Sequence, residues 1–155
     1  MIAFSTCWNS SRHTAGEAML REIKGELGFD LIELGHGIRI SLMPGIQKAF
    51  DAGEVRFSSL HNFCPLPVEV MGPSPDCYTF SSHSAPERQR AIKQTLQTID
   101  FAERLGASFV VLHLGRIPMK PVTEPLIALA KDGEMFSRDS AAARVVANAL
   151  RGCGR

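Results

Sequence analysis

The sequence predicts an α/β protein of four successive (β/α) units around a parallel sheet. Three observations carry this. Short apolar runs of strand type alternate with longer segments of helical periodicity, from the N-terminus to about residue 130. The run at residues 109–115 is wholly apolar up to a histidine and a glycine, the pattern of a strand buried on both faces. The chain has 155 residues, enough for one domain with a real core. Strands alternating with helices run parallel and connect by right-handed crossovers. An open doubly wound sheet and a run of units from a barrel both fit.

The elements follow in order. Residues 2–7 read as a first strand, and residues 8–13 as a polar loop. Thr14 and Glu17 have capping-box spacing. Ala18, Met19, Ile23 and Leu27 then recur at helical spacing, and Gly28 ends the helix. Residues 29–34 form a second strand, with Glu33 the odd residue in an apolar run. A shorter helix over residues 42–52 accommodates Pro44 in its first turn and stops at Gly53. Residues 55–61 form a third strand ending in histidine. Residues 62–82 are a long loop with Pro65, Pro67, Pro73 and Pro75, and loops of that size are often functional. Ser84 and Glu87 have capping-box spacing again, opening a helix to about Leu105 with an apolar stripe of Ile92, Leu96, Ile99 and Ala102. The strand at residues 108–114 follows. Residues 123–130 can start a further helix, which residues 131–134 interrupt, and residues 141–150 are alanine-rich and helical. Composition shifts near residue 136, dividing a domain of residues 1–136 from an atypical tail of residues 137–155.

Composition narrows the function. A net charge of +1 argues against nucleic acid and anionic membranes as partners. No apolar run approaches the roughly 20 residues of a membrane span, and the N-terminus lacks a signal-peptide pattern. The four cysteines have neither C-x-x-C nor zinc-finger spacing, as expected of reduced thiols in a cytoplasmic protein. Cys64, just after a strand end, is the cysteine to test for catalysis. No glycine-rich phosphate loop follows a strand, which removes the main support for dinucleotide or P-loop chemistry.

All four strand ends carry polar or reactive groups: Ser5, Thr6 and Cys7; Glu33 then His36; His61 and Asn62; His113 then Arg116. In a parallel sheet these ends share one edge, where α/β folds place their chemistry. Two histidines and a carboxylate there can do acid/base work near neutral pH or help bind Zn²⁺, Mn²⁺ or Co²⁺. A strand-end histidine is often only a hydrogen-bonded structural residue, but two on neighbouring strands favour a site. Glu33 is costly to bury unpaired, so it belongs either to a site or to an ion pair. His13, His36 and His83 lie in loops, where solvated surface is the default, and Arg88, Arg90 and Lys93 read as a solvated helix face.

Taken together, Ile32, Glu33, Leu34 and Gly35, then His61, then the helix from Glu87 to a Leu105-Gly106-Ala107 ending, then Val110, Val111, Leu112 and His113, resemble the sugar phosphate isomerase/epimerase superfamily. These are the xylose-isomerase-like TIM barrels. The group includes hydroxypyruvate isomerase, inosose dehydratase, ketose 3-epimerases and the endonuclease-four type of DNA-repair enzyme. The resemblance covers about residues 1–135 and rests on the order of loose motifs.

The resemblance implies half of a TIM (β/α)8 barrel, since a whole one needs about 250 residues and eight strands. It implies proton transfer on a sugar, sugar-phosphate or hydroxy-carbonyl substrate, with a divalent metal (Mn, Co, Zn or Mg). His61, His113 and Glu33 are then the catalytic candidates, and Asn62, Arg116 and His36 the substrate-binding ones. His61 and His113 are weak metal candidates, because they bind zinc in the endonuclease-like branch, while the family's usual ligands come from strands five to eight. The chain is expected to be a truncated gene product or a natural half barrel, and to self-associate or pair with a missing half through its open edges. Two alternatives stand beside the isomerase reading: a non-catalytic remnant or self-associating module, and an endonuclease-four-like metal phosphodiesterase. The near-neutral charge weighs against the last.

Overall fold

The computed structural model describes residues 2–115, 121–133 and 141–151. Two compact units divide the chain, Met1–Gly115 and Arg116–Arg155. The boundary expected at residue 136 falls inside the second. No helix among the described residues is long and apolar enough to cross a membrane.

The first unit is α/β. Strands β1 (Phe4–Ser5), β2 (Leu31–Leu34), β3 (Arg56–His61) and β4 (Phe109–Val111) form one parallel sheet in the order β1-β2-β3-β4. Helices α1 (Gly16–Leu27), α2 (Met43–Asp51) and α3 (Ala85–Arg104) connect them. The first strand is shorter than expected, because the chain turns into a 3-10 helix at Thr6–Trp8. There the Thr6 hydroxyl accepts a hydrogen bond from Gly35 N at 2.8 Å.

One face of the sheet is sealed by helices. Met19, Leu20 and Ile23 of α1, Ile46 and Ala49 of α2, Ile32 and Leu34 of β2, and Phe57 and Leu60 of β3 share one buried core. Phe57 and Leu60 are three residues apart, which a regular strand would put on opposite faces. The register between β2 and β3 shifts after Ile32: Ile32 pairs with Phe57, but Glu33 pairs with Ser59. Ser58 is thus the extra residue of a bulge. Beyond it Leu60 faces the helices, and Ser59 and His61 face the other way, beside Glu33.

Neither capping box forms. Ala15 is the N-cap of α1 and has no side-chain bond, while Glu17 reaches α2 and pairs with Lys48 at 2.6 Å. Ser84 caps α3 through its backbone position alone. Glu87 accepts bonds from Thr79 N, Thr79 Oγ1 and Ser82 Oγ at 2.8–3.2 Å. In both cases a tertiary partner takes the glutamate from its own helix end.

The expected stripe of α3 holds at Ala102 and is corrected at Ile92, Leu96 and Ile99. Its buried side is Ala91, Thr95, Thr98 and Ala102. Ile92, Leu96 and Ile99 are 51, 57 and 45% exposed. The helix is rotated by about one residue, roughly 100°, because its threonines bond to the loop after β3. Thr98 Oγ1 takes Cys64 N at 3.0 Å. That loop is packed and not structureless: Phe63 and Tyr78 form a second cluster with Ala91.

In the second unit, α4 (Thr123–Lys131) ends before Gly133, which has a positive φ of 74°, and α5 (Ala141–Arg151) follows.

Candidate functional site

The C-terminal ends of the strands meet in a polar cluster. Its floor is a row across three strands, Ser5, Glu33 and Ser59, in direct register. Ser5 Oγ donates to Glu33 Oε1 at 2.9 Å, and Ser59 Oγ donates to Glu33 Oε2 at 3.1 Å. Both carboxylate oxygens are thereby held by hydroxyls from the flanking strands. Glu33 forms no ion pair with Lys or Arg among the described residues.

Above this floor stand three imidazoles in a row. The His36 and His61 ring centres are 5.1 Å apart, and so are those of His61 and His113. His36 thus belongs with the two strand-end histidines and is not solvated surface. It sits just beyond β2 and is half-buried. Burial, then the neighbouring His61 and His113, push its pKa below the ordinary histidine value, against the opposing pull of Glu33.

The tautomers of two rings follow from their partners. His61 Nδ1 lies 2.9 Å from the backbone oxygen of Asn62. A carbonyl can only accept, so Nδ1 carries a proton, and in the neutral ring Nε2 keeps its lone pair. His113 Nδ1 lies 3.2 Å from Asp76 Oδ1, which fixes the same tautomer. In the neutral form of each ring, Nε2 is therefore the proton acceptor.

Asn62 has a different place from the one expected. It is buried, its Nδ2 donates to Thr95 Oγ1 at 2.9 Å, and its Oδ1 accepts from Thr98 Oγ1 at 3.0 Å. With its amide used at both ends inside the fold, it does not bind substrate through its side chain. It positions the carbonyl that holds His61. Arg116 lies outside the described residues.

Cys64 is also corrected. It is fully buried and burial pushes its thiol pKa up, so it is no nucleophile. The cysteine at the mouth is Cys7, exposed, with Sγ 3.8 Å from His36 Nδ1. Sequence reasoning placed Cys7 at a strand end but gave it no role, and it missed Ser59 and Asp76. Ser59 had a signal, two residues before His61 in the same strand. Asp76 had none, because the long loop brings it in. His13, expected as solvated, pairs instead with Glu22. Glu22 also takes Asn9 and Arg12, and these bonds hold its carboxyl down at about 2.

The implied divalent metal can be tested against these residues. Among the described residues no group of three or more His, Cys, Asp or Glu side chains is arranged to hold a metal ion. The donor set as placed does not fit one, and no step below is routed through a metal.

No protein-family model matches the chain, and neither a curated protein nor a solved structure matches it.

Proposed function

We propose that this cluster is a proton-transfer site of sugar isomerase/epimerase type, set on half of a (β/α)8 barrel and acting on a small hydroxy-carbonyl compound. The observation that carries this reading is the pair of fixed tautomers at His61 and His113. Each Nδ1 proton is committed to an oxygen, so in the neutral rings each Nε2 is the atom that accepts a proton. One histidine removes a proton from the carbon beside the carbonyl, the other relays the hydroxyl proton between the two oxygens of the enediolate, and the imidazolium formed in the first step returns its proton to the neighbouring carbon. Glu33, fixed by Ser5 and Ser59, supplies a negative charge that stabilises the imidazolium formed. The order of motifs along the chain supports the same substrate class.

The test is turnover on a panel of small aldoses and ketoses. Wild-type protein interconverts at least one pair, and His61→Gln and His113→Gln each lose about 10²-fold or more in rate. Equal rates in wild type and both variants would refute the assignment.

A second reading, self-association of the half barrel, has its own support. β4 is an edge strand of the described sheet, and Phe109, Leu112 and Leu114 are 69, 42 and 67% exposed. The apolar stripe of α3 is exposed as well. Edges of this kind invite pairing, and two copies related by a two-fold axis close such a sheet.

A further inference from the structure

We propose that Cys7 and His36 form a nucleophile–base pair that takes a small hydroxy-aldehyde as a reversible thiohemiacetal. The proposal does not depend on the isomerase reading, because it concerns a thiol that the proton-transfer scheme leaves unused.

The three described thiols differ in what surrounds them. Cys64 is sealed in the core, and Cys77 is half-buried with its pKa raised by burial. Cys7 alone among them is exposed and lies against an imidazole. Its Sγ is 3.8 Å from His36 Nδ1, within reach of a thiol hydrogen bond. The backbone is shaped for this contact. A side chain on Gly35 would put its Cβ 2.3 Å from Cys7 Sγ, so only glycine leaves room for the sulfur beside the ring. The turn that presents Cys7 is pinned by Ser5, whose Oγ accepts from Cys7 N at 3.4 Å.

For His36 to accept the thiol proton it must be neutral, with its own proton on Nε2. Half-burial and the facing rings of His61 and His113 favour the neutral form, Glu33 opposes them, and the Cys64 thiol is within electrostatic reach of Cys7. The geometry then matches a positioned base on a nucleophile.

The step balances without an oxidant or reductant. The Cys7 thiol proton moves to His36 Nδ1 as Sγ attacks the carbonyl carbon. A C–S bond forms while the C=O π bond opens to an alkoxide. His36 returns the proton to that oxygen, leaving a neutral thiohemiacetal. The hydroxyls of Ser5 and Ser59 and the carboxylate of Glu33 line the nearby floor. They suit an aldehyde that carries hydroxyl groups over an apolar one.

The test follows thiol alkylation by iodoacetamide at neutral pH, peptide by peptide, with N-acetylcysteine as the free-thiol standard. A free thiol is only a few per cent thiolate at pH 7, so assistance by the base makes Cys7 react about tenfold faster than the standard. His36→Gln brings Cys7 back to the standard rate. In that variant the buried Cys64 stays unalkylated, which reports that the fold is intact. Glycolaldehyde slows alkylation of Cys7 and leaves Cys77 unaffected. A Cys7 rate equal to the standard, or one unchanged in a folded His36→Gln variant, would overturn the pair. Absence of protection by glycolaldehyde would overturn the aldehyde as its ligand.

Discussion

Asn62 joins the site to the helix behind it. Its amide bonds Thr95 and Thr98 on α3, and its carbonyl oxygen holds the His61 ring. Replacing it with alanine removes one buried hydrogen bond each from Thr95 and Thr98, so Asn62→Ala is expected to cost about 1–3 kcal/mol in urea unfolding. Loss of activity in this variant at unchanged stability would contradict the structural role. His36 makes a prediction about pH. Its folded pKa lies below the ordinary value of 6.5, so the unfolded chain binds more protons in that window. Its contribution to stability is present above about pH 6.5 and is lost as pH falls through the folded pKa. Imidazole NMR should show His36 titrating below 6.5, and His36→Gln should flatten stability between pH 7 and 5. At this level the strand-end residues His61, His113 and Glu33 were legible, because strand ends announce themselves in the chain. The choice between Cys64 and Cys7 was not, because it depends on which thiol the packing of the loop after β3 buries.

The helices α1 and α2 approach so closely that two glycines are required between them. A Cβ on Gly16 would lie 2.1 Å from Leu42 O, and one on Gly45 would lie 2.7 Å from Glu17 N. Both obstacles are backbone, which cannot swing aside. Gly16→Ala is therefore expected to destabilise the fold by about 1–3 kcal/mol, seen as a lower melting temperature. Exposed Gly25 has open space around its Cβ position, so Gly25→Ala should not lower it. Periodicity located every α-helix and strand of the first unit but none of its 3-10 helices, and Gly28 and Gly53 marked helix ends at φ of 74° and 68°. It did not reveal the bulge at Ser58, whose cause is the need to bury both Phe57 and Leu60. On α3 it placed Ala102 correctly but set the rest of the stripe one residue off the buried side. Apolar spacing favours Ile92, Leu96 and Ile99, but the hydroxyls of Thr95 and Thr98 are needed on the buried side.

The α/β class with a parallel sheet was legible in the chain's alternation, and the sheet is open at β1 and β4. One face is a continuous core, while the other carries the polar row together with Phe109 and Val111 of β4, which are 69 and 37% exposed. The half-barrel reading rests on the family resemblance, and this asymmetry is what bears on self-association. Dimerisation is the expected outcome, read by light scattering at micromolar concentration. A Leu96→Lys/Phe109→Lys variant should keep its circular dichroism spectrum, since both side chains are largely exposed, and should run as a monomer. A wild-type protein that is already monomeric would contradict self-association and leave the histidine cluster untouched.

Deuterium exchange tests the proton-transfer assignment most directly. Small hydroxy-ketones and hydroxy-aldehydes are incubated with the protein in D2O, and the carbon beside the carbonyl is followed by NMR. The account predicts that wild-type protein introduces deuterium at that carbon. It also predicts that His61→Gln and His113→Gln each slow the exchange by about 10²-fold or more. Exchange no faster than in buffer across the series, or exchange in both variants at the wild-type rate, would contradict it.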